Sequence, residues 1–177
     1  MVKGKKLLFI SEYPFRCRDF KRFHIQKYKD NGVDVKVVEI SGIFKNTECK
    51  NNENVHFINS YSKFKKYLKQ FGPDIIFSLI STTSRERPIL RILILNFINK
   101  NYNCIENCGP NGPFEPEDIK FKTKLKKVFY KKFLRSFKFS YVCGSESLKK
   151  ATGKTIYGHS WDYDNYISMR ENHETED

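Results

Sequence analysis

The chain has 177 residues, enough for one domain with a sizeable core and too few for two full ones. Its 39% hydrophobic content, with sixteen Phe and ten Tyr, excludes a disordered chain. A net charge of +13 favours polyanionic partners (nucleic acid, acidic lipid or phosphorylated substrates), with a Lys-rich solvated surface as the plainer reading.

In chain order, Leu7 to Ile10 is a short apolar run ending at Ser11 and reads as a buried first strand. Asp19 to Asp30 sets Phe20, Phe23, Ile25 and Tyr28 among charges, the pattern of a helix stopped by Asn31-Gly32. Val33 to Ile40 is β-branched and reads as a strand, and Val55 to Ile58 as a shorter one. Tyr61 to Phe71 is an amphipathic helix closed by Gly72-Pro73, and Asp74 to Ile80 is another buried strand. Arg87 to Lys100 is an apolar helix with Pro88 at its start, where proline is tolerated. Tyr102 to Glu106 is the next strand, followed by a loop over 107–118 rich in proline and glycine. Phe121, Leu125, Val128, Phe129, Phe133 and Phe137 recur at helical spacing, which predicts a long amphipathic helix. Phe139 to Cys143 is a strand, Ser145 opens a short helix, and Thr155 to Tyr157 is the last strand. Strand and helix alternate throughout, so the expected fold is α/β: a Rossmann-like parallel sheet of six or seven strands with helices on both faces. Residues 1–170 form this domain, and 171–177 an acidic tail or truncated connection.

The charge is local. Lys120, Lys122, Lys124, Lys126, Lys127, Lys131, Lys132, Arg135 and Lys138 lie in one stretch without an acid, while Glu171, Glu174, Glu176 and Asp177 close the chain. Such a stretch suits a patch, either on an anionic lipid surface or in a nucleic-acid-binding module. Five cysteines at irregular spacing argue for reduced thiols and a cytoplasmic protein. Leu7 to Ile10 is too short for a signal-peptide core and Pro88 to Ile98 too short to span a bilayer, so any membrane association is peripheral.

Open parallel sheets bind ligands at the carboxyl ends of their strands. The loops there carry Glu12, Arg16, Arg18 and Asp19 after the first strand, and Arg85 after the fourth. Glu106 and Asn107 follow the fifth, and Ser145 and Glu146 the sixth. Glu106 or Asp19 can act as general base, and the three arginines can grip phosphate by paired hydrogen bonds. His159, Trp161 and Asp162 belong to a polar-aromatic cluster that suits either a sugar ring or a hydrogen-bonded turn. Asp162-Tyr163-Asp164 has a spacing some sugar transferases use for a divalent ion, but its place near the chain end favours capping, and no metal is expected. Gly153-Lys154-Thr155 resembles the end of a phosphate-binding loop, yet Leu148 stands where that loop needs glycine. No glycine fingerprint follows the first strand, so no dinucleotide cofactor is expected.

Four segments together resemble the GT-B glycosyltransferases, in particular the family 4-like group of bacterial surface polysaccharide biosynthesis. They are Lys5 to Ser11 with the turn through Tyr13-Pro14, Gly32 to Ile40 (G-x-x-V-x-V-V), Pro73 to Ile76 (P-D-I-I), and Tyr141 to Leu148. The family's glycine pair after the first strand is absent, with Arg16 to Asp19 in its place, and Glu106-Asn107 stand where a histidine is often found. The resemblance implies an acceptor-side domain that transfers sugar from a nucleotide-sugar to a polysaccharide or lipid-linked acceptor. It also implies a separate donor-binding domain or partner subunit, and a chain inactive alone. The alternatives are a basic, non-enzymatic nucleic-acid-binding module and a membrane-associated acceptor-binding subunit of a two-chain transferase.

Overall fold

The computed structural model describes residues 3–44, 54–81, 87–108, 137–142 and 153–157. Seven strands run in chain order: β1 (Lys6–Ser11), β2 (Asp34–Glu39), β3 (His56–Phe57), β4 (Ile75–Leu79), β5 (Asn103–Cys108), β6 (Phe139–Val142) and β7 (Lys154–Tyr157). They form a single parallel sheet in the spatial order β3-β2-β1-β4-β5-β6-β7. Between them lie α1 (Cys17–Arg22), α2 (Ile25–Asp30), α3 (Ser41–Phe44), α4 (Tyr61–Phe71) and α5 (Pro88–Asn101). The fold is the Rossmann-like α/β sheet that the alternation of elements predicts.

Side chains alternate across each strand, and the two faces differ in chemistry. Leu8, Ile10, Val38, Ile40 and Ile76 point to an aliphatic face, where Phe64 and Leu68 of α4 and Ile94, Leu95 and Ile98 of α5 cover them. Phe9, Val35, Val37 and Phe77 point to the other face and meet Phe15, Phe23 and Ile25 around α1 and α2. That face is aromatic: the Phe9 ring lies 5.3 Å from Phe77 and 5.7 Å from Phe23, centroid to centroid. Central strands buried on both faces must be apolar throughout, which is why β1 reads as an unbroken run.

Local signals set the helix ends. Ser60 Oγ accepts the Lys63 N–H at the start of α4, and Gly72 closes it at φ 60°, a conformation that favours glycine. The expected single helix over Asp19–Asp30 is two short ones. His24 at φ 49° breaks it, and the turn there lets both Phe23 and Ile25 bury against the sheet. Strand bounds also differ by a residue or two from the expected ones, and β5 runs on through Asn107 and Cys108, where the sequence predicts a loop. The four-residue α3 gives no periodicity to read. The expected basic helix, apart from Phe137, lies outside the described residues, as do the short helix at Ser145 and the tail over 171–177.

Asp74 of the P-D-I-I segment works at the opposite, amino edge of the sheet. Its carboxylate accepts the Lys6 N–H at 2.9 Å and the Lys5 ammonium at 3.0 Å, and its carbonyl accepts the Asn103 amide. It thereby joins the entries of β1, β4 and β5. The backbone N–H of Lys6 first, and the Lys5 side chain second, hold its carboxyl below the usual range.

Phe64 is fully buried in the aliphatic core, and Phe64→Ala should cost about 3–5 kcal/mol in urea unfolding. A loss under about 1 kcal/mol would mean that α4 is not seated as described. Asp74 has a depressed folded-state value, so its contribution is present above the unfolded carboxyl value and disappears as pH falls through the folded one. Asp74→Asn should therefore lower stability at neutral pH, and the gap to wild type should close in acid; a gap constant from neutral pH down to strong acid would contradict the assigned hydrogen bonds.

Candidate functional site at the carboxyl edge

The chain leaves β1 toward β2 and β3 on one side, then returns to place β4 on the other side of β1. The carboxyl ends of β1 and β4 therefore flank the topological switch point, where sheets of this kind leave a crevice. A buried ion pair occupies the aliphatic side of it. Glu12, directly after β1, and Arg91 on α5 are each almost wholly buried and pair with one another. Glu12 Oε1 also accepts the Ser81 N–H at 3.1 Å, and Arg91 donates to the Ser81 carbonyl at 3.4 Å. The Arg91 guanidinium lies 4.1 Å from the centroid of the Phe44 ring. Arg87, one turn earlier, donates to the Ile43 carbonyl at 2.8 Å. The loops after β1 and β4 are thus bound to each other, and α3 is bound to the first turns of α5.

On the aromatic side, Ser11 Oγ donates to the Tyr13 carbonyl and accepts the Tyr13 N–H, folding the first loop into a tight turn with Tyr13 exposed. Phe15 anchors the far end of that loop in the aromatic core. Glu39 ends β2 beside Ser11, buried, and its Oε1 accepts the Ser41 hydroxyl. Arg16 and Arg18 are exposed at the start of α1, and Asp19 is drawn into the cap of that helix, accepting the Arg16 N–H at 2.8 Å.

One to two residues inside the strand ends, a polar row crosses the sheet. Ser78, Glu106 and Ser140 stand side by side on β4, β5 and β6, and Thr155 continues the row on β7. Cys104 precedes Glu106 by two residues on the aliphatic face, so the row faces that side too. Burial pushes the Cys104 thiol well up, and the neighbouring Glu106 carboxylate adds to the effect. Ser140 donates to Glu106 Oε2 at 3.3 Å. Next to it, Asn107 holds a buried Oδ1 without a hydrogen-bond partner among the described residues.

Of the candidates read from sequence, Glu12, Arg16, Arg18, Asp19 and Asn107 lie toward this edge, and Glu106 stands two residues inside the end of β5. They do not form one cluster. Glu12 is enclosed by its ion pair, Asp19 serves α1, and Glu106 and Asn107 stand two strands away from β1. Arg85, Ser145, Glu146, His159, Trp161 and Asp162 lie outside the described residues. Among the described residues, no group of three His, Cys, Asp or Glu side chains is placed to hold a metal ion, and no helix is long and apolar enough to cross a membrane. Arg91, Glu39 and Ser140 are not among the residues that the sequence singles out. An arginine inside an otherwise apolar helix is the available signal for the first, since a buried charge requires a partner. Ser140 and Glu39 give none, because their roles depend on register between strands.

Removing one partner of a buried pair strands the other charge, so Glu12→Gln and Arg91→Met should each cost about 3–5 kcal/mol. The double variant should recover much of that loss, as read in a double-mutant cycle of urea unfolding. Strict additivity of the two losses would show that the side chains do not interact.

No family model matches the chain, and no curated protein matches it. Solved structures similar to it include the epimerase Mth375 of Methanothermobacter thermautotrophicus, at 16% identity and a TM-score of 0.41, covering 89% of this chain and 51% of that one. Another is a UDP-glucose 4-epimerase of Thermus thermophilus in complex with NAD, at 13% identity and a TM-score of 0.42, covering 78% of this chain and 55% of that one. A third is the UDP-glucose 4-epimerase of Thermotoga maritima with UDP-glucose, at 16% identity and a TM-score of 0.39, covering 77% of this chain and 54% of that one. The chain spans about half the length of these structures.

Proposed function

We propose that this chain is the acceptor-side domain of a sugar transferase of the two-domain GT-B type, with its acceptor site at the carboxyl edge of β4 to β6. The observation that carries the reading is the half-buried Glu106 carboxylate, held by Ser140 near the carboxyl end of β5. A carboxylate so placed can take the proton of an acceptor hydroxyl as that oxygen bonds to the anomeric carbon of the donor, whose bond to the diphosphate breaks and releases the nucleoside diphosphate. The first loop supports the same reading. A bound dinucleotide needs glycine there for close approach of its pyrophosphate. Here that place is taken by Glu12, locked on the aliphatic side, and Phe15, locked on the aromatic side.

In this reading the donor is a nucleotide-sugar bound by a second domain or partner subunit, and transfer needs no metal or cofactor from this chain. The acceptor is a polysaccharide or a lipid-linked glycan. The enzyme works in the cytoplasm, with the basic stretch from Lys120 to Lys138 resting on an anionic membrane surface.

A second reading has one observation in its favour. Glu39 ends β2 beside the switch point, where sheets of this class place an acid that receives ribose hydroxyls. A nucleotide-binding enzyme of another class would use it so. Ser41 already engages its carboxylate, and the glycine loop that accompanies such an acid is missing.

The test is a transfer assay with a panel of uridine- and guanosine-diphosphate sugars, with the chain alone and with its donor-binding half supplied. Turnover is expected only in the second case, and Glu106→Gln should lower kcat by about 10²- to 10⁴-fold with little change in KM. Full activity of Glu106→Gln would remove the carboxylate from the mechanism. Tight NAD binding by the chain, abolished by Glu39→Gln, would establish the second reading instead.

A further inference from the structure

We propose that Ser140 is a positioning residue for Glu106, oriented by the backbone N–H of Gly153 so that its hydroxyl proton is directed at the carboxylate. The proposal rests on the reading of Glu106 as the acceptor base and extends it to a residue outside the substrate's reach. Ser140 is fully buried in β6. Its Oγ accepts the Gly153 N–H at 3.0 Å and donates to Glu106 Oε2 at 3.3 Å. A serine hydroxyl has a single proton. Accepting from Gly153 on one side leaves that proton directed toward Glu106 on the other.

The backbone at Gly153 is built for this. A Cβ placed there would lie 2.2 Å from the Phe137 carbonyl oxygen and 2.8 Å from Lys138 C and Phe139 N, all backbone atoms that cannot give way. Only glycine lets the chain come this close, and Lys154 N–H donates to the Lys138 carbonyl immediately after it. Two independent features, a glycine required by contact and a serine in register with Glu106, therefore converge on one carboxylate oxygen. The Gly-Lys-Thr segment that resembles the end of a phosphate loop finds its explanation here: its glycine serves strand packing and serine orientation. A purely structural sheet would be expected to carry Val or Ile at 140, since a buried hydroxyl costs free energy unless bonded.

Among the described residues, the ionisable groups on that side of the sheet include Cys104 on β5, Arg91 on α5, Glu12 after β1, Lys6 on β1, and Asp34 and Lys36 on β2; Glu12 and Arg91 pair with each other. A carboxylate that loses a hydrogen-bond donor becomes easier to protonate. The test follows the Glu106 carboxyl carbon by NMR in the full chain labelled with 13C-glutamate, the resonance being identified by its loss in Glu106→Gln. In Ser140→Ala its pH midpoint should rise by roughly half a pH unit or more, and Ser140→Thr, which keeps the hydroxyl, should restore it. Ser140→Cys preserves size with a weak donor and should shift the midpoint in the same direction, which covers the case of an alanine variant that folds poorly. An unmoved midpoint in both the alanine and cysteine variants, whatever their stability, would overturn the proposal, and so would a threonine variant that behaves like alanine. The NMR readout needs neither donor nor acceptor. If the midpoint moves as expected while Ser140→Ala and Glu106→Gln leave sugar transfer unchanged, it is the base role of Glu106 that fails, and not the hydrogen bond.

Discussion

The rest of the carboxyl edge depends on the ion pair between Glu12 and Arg91. Two charges removed from water carry a desolvation cost of several kcal/mol each, and their attraction offsets it only when the remaining polar atoms are also bonded. Here the Ser81 peptide supplies those bonds from both its N–H and its carbonyl, and the Phe44 ring covers the guanidinium. The arrangement requires β1, β4, α3 and α5 to be in place together, because each contributes an atom that the others need. Removing any one of them would leave a buried charge exposed to an apolar core. A Leu–Leu contact at the same place would supply stability without that geometric demand. The pair contributes register: it determines how far α5 slides along the sheet, and so where the loops on either side of the crevice end.

That constraint also relocates the chemistry. In a dinucleotide-binding sheet the switch point is open and the first loop is thin. In this protein the aliphatic half of the switch point is filled by charged side chains, and the aromatic half by Phe15 and the tight turn at Ser11. Among the described residues, Glu106 and Asn107 stand farther along, on β5. Glu106 is the base of the proposed reading, and Asn107 has a buried carbonyl oxygen without a partner among the described residues.

How much of this was legible in the sequence follows from the range of each interaction. Strands β1, β2 and β4 and helices α4 and α5 announce themselves through unbroken apolar runs, the Ser60 and Gly72 caps and Pro88, all of them local signals. The break at His24 is not local: one helix through Phe20, Phe23, Ile25 and Tyr28 satisfies periodicity, and only the need to bury Phe23 and Ile25 against a twisted sheet divides it. The order of elements places Glu106 at the end of its strand, and the structure sets it two residues inside that end. Its partnership with Ser140 requires the β5–β6 register, and that of Glu12 with Arg91 requires the seating of α5, neither of which a single sequence displays. Asp74 shows the reverse case: a residue noticed as part of a family-like segment proves to serve the amino edge, far from any chemistry.

The polar row on β4 to β7 sharpens the distinction between stability and function. Ser78, Glu106, Ser140 and Thr155 occupy one line across a face that is otherwise Leu, Ile, Val and Cys. Aliphatic residues at those positions would extend the core and avoid the cost of desolvating hydroxyl and carboxylate groups. A sheet that keeps four polar side chains in register, and tightens one neighbouring strand around a glycine that bonds to one of them, is less stable than its all-aliphatic counterpart would be. Stability forgone in this way, on a line of the sheet and not in a loop, is a cost that the fold bears for those four groups. It separates the carboxyl edge of β4 to β6 from the equally polar but exposed start of α1, where Arg16, Arg18 and Asp19 cost the fold little and satisfy one another or water.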